Sequence, residues 1–262
     1  MDSKRLVLLD ELRGFTLISM MLYHSLWDLV YIAGISIPWY KSTGAHLWQQ
    51  SICWTFIFLS GFCWSLGHHP LKRGLLVFFA GTFITLVTYV LLPENIVIFG
   101  VLTLIGSSML LMIPLDGLLR KIRSPLALWI LFSTFFFLFL LFLPARNGHL
   151  GNFVGLLCGS SFHQGGLFLP RELYRNLMTA YLGFPVAAFY STDYFPIIPW
   201  YFLYITGYLF YRLGTCLGWL DNSFLKCRHF TPFAFIGRRS LLVYMLHQPI
   251  LYAITLLIIL FR

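Results

Sequence analysis

Leu9-Asp10-Glu11-Leu12-Arg13-Gly14 begins a mainly apolar run that continues through Tyr23-His24 to Asp28. Read as a helix, each residue turns about 100°, so Arg13 and His24 point within roughly 20° of each other. By the same geometry Asp10 and Asp28 lie within about 60° of Arg13, and Arg13 and His24 stand roughly 16 Å apart along the axis. One face of one helix therefore carries Asp10, Arg13, His24 and Asp28. Ionisable groups are costly inside a bilayer, so a polar stripe of this length should line a pathway or a site. A plainer alternative has Asp10 and Arg13 marking the water interface and His24 bonding to a neighbouring helix. That alternative leaves the shared face to coincidence.

Composition places the stripe in a membrane. The chain has 262 residues, 59% hydrophobic and 10% charged, where a soluble domain carries about 25% charged residues. Long unbroken apolar runs indicate helices rather than a barrel. The expected fold is all-α, a polytopic transmembrane helix bundle with residues 1–262 as a single integral membrane domain. Spans are expected at about 6–34, 46–66, 74–92, 96–115, 126–144, 196–214 and 239–261. Ser60-Gly61, Gly100 and Gly106 offer close helix contacts. Phe135-Phe136-Phe137-Leu138-Phe139, without polar content, is expected to face lipid.

With the N-terminus in the cytoplasm, twelve Lys and Arg residues fall on the inner side and five on the outer, leaving Arg13 within the helix. This agrees with the positive-inside rule and sets seven spans. The region 145–195 then lies outside. Its two short apolar segments, 150–169 and 177–192, would make nine spans if both crossed; re-entrant or interfacial segments are preferred. Lys4 and Arg5 precede an apolar run without a small-residue cleavage site, which reads as an uncleaved first span.

The net charge of +9 is scattered in small groups between apolar segments. Such charge orients helices and argues against nucleic acid as a partner; anionic lipid or a phosphorylated cofactor suits it better. Cys53, Cys63, Cys158, Cys216 and Cys227 form no CxxC pair, and most, lying in or beside apolar stretches, read as small buried hydrophobes. Cys227-x-His229 is too sparse for a metal site, and no metal is expected.

His24 is the side chain best matched to proton transfer near neutral pH. Asp28, four residues on, shares its face and could orient the imidazole. Asp193 and Tyr194 lie in Phe189-Tyr190-Ser191-Thr192-Asp193-Tyr194-Phe195-Pro196. A carboxylate among aromatics suits a sugar or amine acceptor, while Asp193 as a cap for the helix opened by Pro196 fits equally well. Gly237-Arg238-Arg239-Ser240, at the cytoplasmic start of the last helix, could hold a phosphate, with Lys72-Arg73 adding charge or serving only topology. His247 follows roughly 12 Å further along that helix. A different class of reading is a proton-coupled small-solute transporter. Asp10, His24, Asp28 and His247 would be its relay, with helices broken near Pro196 and Pro249.

Arg13 through His24 resembles the Arg-x10-His signature of the transmembrane acyltransferase superfamily. Phe56-Ile57-Phe58-Leu59-Ser60-Gly61, Asp193-Tyr194-Phe195-Pro196 with Pro199-Trp200, and Gly237-Arg238-Arg239-Ser240 through His247-Gln248-Pro249 resemble one bacterial branch of it. That branch is named for the catalytic domain of heparan-alpha-glucosaminide N-acetyltransferase. The resemblance implies a multi-pass enzyme of the bacterial plasma membrane moving an acetyl group from cytoplasmic acetyl-CoA to an extracytoplasmic sugar or glycan. Asp10, Arg13, Arg238, Arg239, Lys72 and Arg73 would bind the donor. His24, as base or as the acetylated group, would act with Asp28, while Asp193, Tyr194 and His247 would hold the acceptor. Oligomeric state stays open, a homodimer included. The chain is shorter than superfamily relatives with about ten spans and lacks the N-terminal extension of the lysosomal enzyme, so the name does not fix heparan sulfate as the acceptor.

Overall fold

The computed structural model describes residues 5–151 and 167–261. Seven long helices lie where the hydrophobic runs predict them: α1 (Val7–Tyr31), α2 (Thr43–Phe62), α3 (Pro70–Leu91), α4 (Val101–Leu119), α5 (Pro125–Phe142), α7 (Ile197–Leu217) and α10 (Ser240–Leu260). Shorter helices are α6 (Leu177–Leu182), α8 (Ser223–Lys226) and α9 (Thr231–Arg238), and β1 (His149–Leu150) pairs antiparallel with β2 (Leu167–Phe168). The fold class is all-α, as expected. Among the described residues four helices are long and apolar enough to cross a membrane: α3, α4, Pro125–Asn147 and α10. The polar stripe lowers the hydropathy of α1, glutamines that of α2, and tyrosines that of α7. Segment 177–192 holds one six-residue helix, far below the roughly 20 residues a span needs. Most of segment 150–169, with Cys158, lies outside the described residues.

The chain forms two compact units, one of residues 5–56 and 218–261, the other of 57–151 and 167–217. In the first, α1 packs on α9 and α10. Gly14 faces the Phe233 carbonyl and Gly237 faces the Asp10 carbonyl, so closely that a Cβ at either would collide with backbone. Small residues at both facing positions let α1 and α9 touch main chain to main chain. Buried Glu11 then caps α9, its Oε1 accepting the backbone N–H of His229 at 2.8 Å and of Phe230 at 2.9 Å. Phe230 is the N-cap of α9 and His229 the residue before it, so neither N–H has an intrahelical acceptor. Gly237 and Arg238 end this separate helix rather than begin the last one, which starts at Ser240.

Glu11→Ala is expected to cost about 1.5 kcal/mol, because two part-buried donors lose a charged acceptor and fall back on water. Glu11→Gln, which keeps an oxygen at the same reach, recovers most of the loss. Thermal melts in detergent read both; equal melting of all three proteins would remove the cap.

In the second unit α3 packs on α4, and α5 on α7. Gly106 lies against Phe78, and Gly61 against the Tyr204 carbonyl, the close contacts expected of them. Leu76, Phe79, Phe83, Leu86 and Val90 stand exposed on α3, an apolar surface suited to lipid. The phenylalanine run of α5 faces lipid only in part. Phe137 is exposed, but Phe139 is fully buried with its ring 5.5 Å from Trp200, and Phe135 packs 6.2 Å from Phe202. A helix apolar all round can bury either face, so composition could not choose. The cysteines divide as well: Cys63 is buried, Cys216 and Cys227 exposed.

Candidate active site

The first unit gathers two polar clusters along α1. Near its N-terminal start, buried Asp10 draws three arginines together. Arg5 Nε lies 2.8 Å from Asp10 Oδ2, Arg238 Nε 3.6 Å from the same oxygen, and Arg13 Nη1 3.6 Å from Oδ1. The close α1–α9 crossing brings Arg238 to this carboxylate. One carboxylate among three guanidiniums leaves an excess of positive charge, held in planar forks suited to phosphate. Arg239 does not join it; its guanidinium sits 4.1 Å over the Phe235 ring. Arg5, taken from the sequence only as a topogenic charge, is the closest partner of Asp10.

The second cluster lies farther along α1. The His24 ring stands 5.2 Å from the His247 ring of α10, with the planes 55° apart. His247 Nδ1 is 2.6 Å from the Tyr244 carbonyl. Asp28 is fully buried, and its Oδ1 accepts from the Gln248 side-chain amide at 3.0 Å. Asp28 Oδ2, His247 Nε2 and Gln248 Oε1 are buried without a hydrogen-bond partner. Each orphaned acceptor costs about 1–3 kcal/mol, a cost that sites tolerate when a ligand supplies the donors. Rings surround the cluster: Tyr244 lies 5.1 Å from His247, Phe56 stacks 6.0 Å from Tyr244, and Tyr23 packs against Tyr40 and Trp48. The Trp48 indole N–H donates to Ser19 Oγ at 2.7 Å, fixing α2 to α1. Gln248 carries no sequence signal as a partner of Asp28 beyond following His247.

Four candidates belong to the second unit. Lys72 is exposed, and the Arg73 guanidinium fills the space that a side chain at Gly67 would take, with Nη1 buried and unpartnered. Asp193 Oδ2 accepts from the Val101 N–H at 3.3 Å, so the helix it caps is α4 and not the one Pro196 opens. Beside it Ser191 Oγ bonds the Ile98 N–H and carbonyl, and the Tyr194 hydroxyl donates to the Ala180 carbonyl. This loop against loop pairing also shifts the start of α4 from about 96, expected from hydropathy, to Val101.

Burial pushes the Asp193 carboxyl up to about 6, against the opposing pull of the Val101 N–H. The folded protein thus holds a proton there that the unfolded chain, titrating near its ordinary value, has already released. The stability this group contributes is present below about pH 4 and is lost as pH rises through about 6. The melting temperature of the wild type should fall across that window, and Asp193→Asn should flatten the fall. Identical pH profiles for the two would overturn the assignment.

A family model described as heparan-alpha-glucosaminide N-acetyltransferase, catalytic, matches residues 5–249 and so takes in both clusters. No curated protein and no solved structure matches the chain.

Proposed function

For a chain that belongs to the heparan-alpha-glucosaminide N-acetyltransferase catalytic family, we propose transfer of an acetyl group from cytoplasmic acetyl-CoA to an extracytoplasmic amino sugar or glycan. The observation that carries this reading is the spacing of the two clusters on α1. Arg5, Arg13 and Arg238 gather at one end, and His24 faces His247 at the other, with roughly 16 Å of helix between Arg13 and His24. Seven crossings with the N-terminus inside put the arginines on the side where the donor is made.

The arginines hold the CoA phosphates, and the pantetheine arm runs along the polar face of α1 toward His24. His24 takes a proton from the acceptor nitrogen or oxygen as that atom bonds to the acetyl carbon. The carbon–sulfur bond breaks, its electron pair stays on sulfur, and His24 returns the proton there. Asp28 Oδ2 and Gln248 Oε1 accept hydrogen bonds from the acceptor's N–H or O–H groups, supplying the buried oxygens with donors. Trp39 and Tyr31, each about half exposed, offer faces on which a sugar ring stacks.

The test is thiol release from acetyl-CoA by the detergent-purified protein, with and without pooled amino sugars and cell-wall glycans. Release stimulated by an acceptor is expected. Absence of both release and acetyl-CoA binding would overturn the reading, and uptake driven by a pH gradient in liposomes would replace it with a transporter.

A further inference from the structure

His247 can meet His24 through one nitrogen only. Its Nδ1 lies 2.6 Å from the Tyr244 carbonyl oxygen, which accepts and never donates, so Nδ1 carries the hydrogen. In a neutral imidazole the lone pair is then on Nε2, and Nε2 is buried with no partner. The ring that this lone pair can serve is His24, 5.2 Å away between centroids. Asp28, the residue that spacing along α1 offers as the orienter of His24, has one oxygen engaged by the Gln248 amide of α10.

We propose that His247 is the positioning residue for His24, its Nε2 accepting a hydrogen bond from one His24 ring N–H so that the other His24 nitrogen is the base. This rests on the transferase reading and reassigns His247 from holding the acceptor to orienting the base. The device parallels the acid of a hydrolase triad, which fixes the histidine tautomer and stabilises the imidazolium. A neutral imidazole does the same work without adding a charge to the apolar interior. When His24 accepts the proton from the attacking nitrogen or oxygen, its bond to Nε2 becomes charge-assisted and strengthens. The proton then leaves His24 for the departing sulfur, and His247 ends the cycle unchanged because the Tyr244 carbonyl gives it no onward path.

Two substitutions separate this role from packing. Gln at 247 carries an acceptor oxygen to about the reach of Nε2, whereas Asn reaches only the place of Nδ1 and can still donate to the Tyr244 carbonyl. With wild type, His247→Gln and His247→Asn assayed side by side, His247→Asn should lower kcat about 10²-fold with KM for acetyl-CoA unchanged. His247→Gln should recover at least about tenfold of that loss. Full turnover by His247→Asn, or equal losses in both variants, would overturn the assignment. A wild type without acceptor-dependent thiol release would overturn the transferase reading, and this assignment with it.

Discussion

His24→Gln is expected to lower the proposed acetyl transfer by about 10³-fold, the middle of the range for a general base, while KM for acetyl-CoA and the melting temperature should stay near wild type. The donor phosphates are assigned to the arginines around Asp10, roughly 16 Å along the helix from His24, so ground-state binding of the donor should not register the change. Glutamine fills much the same volume in this partly buried position, so packing against Tyr23 and His247 is kept. A residual rate is expected, since positioning of the two substrates persists without the base. Loss of all transfer would instead assign His24 as the group that is itself acetylated. Near-normal turnover would remove it from the chemistry. Steady-state thiol release, with binding of acetyl-CoA measured in parallel, distinguishes the three.

Gly237→Ala should damage both the fold and the donor site. A Cβ at residue 237 collides with the Asp10 carbonyl and comes within 3.0 Å of the Gly14 backbone nitrogen. Both are main-chain atoms of α1 and cannot swing aside as a side-chain tip can, so α1 and α9 must separate. Alanine's better helix propensity works in the opposite direction by about 0.5–1 kcal/mol. Overpacking of about 1–3 kcal/mol outweighs it, and the melting temperature should fall by roughly 3–5 °C. Separation also carries Arg238 away from Asp10, now 3.6 Å apart, so KM for acetyl-CoA should rise about tenfold for the loss of one charged contact. An unchanged melting temperature together with an unchanged KM would show that the helices do not depend on this glycine.

The α1 face was legible because everything it needs is local. Helical periodicity fixes which residues share a side, and a single turn angle relates Asp10, Arg13, His24 and Asp28 whatever surrounds them. The seven long helices were legible for the same reason, from continuous apolar runs ended by Gly34, Pro93 or the prolines that open α3 and α5. The failures share one cause. Gly237-Arg238-Arg239 reads naturally as the start of the last helix, since nothing nearby in sequence stops it. At the end of α9 Gly237 abuts the Asp10 carbonyl of α1, while its start is capped by Glu11, 218 residues from His229.

Sequence alone thus determined the fold class, the polar face of α1 and the pairing of a basic end with a histidine farther along it. These follow from local periodicity and from the cost of ionisable groups in lipid. Tertiary structure decided which groups serve each of those residues: Arg5 and Arg238 on Asp10, Glu11 on α9, Gln248 on Asp28, and His247 opposite His24. Each of these except Arg5 lies on another helix more than 200 residues away in sequence or bonds to one. Only helix packing brings such groups together, and no periodicity in the chain encodes it.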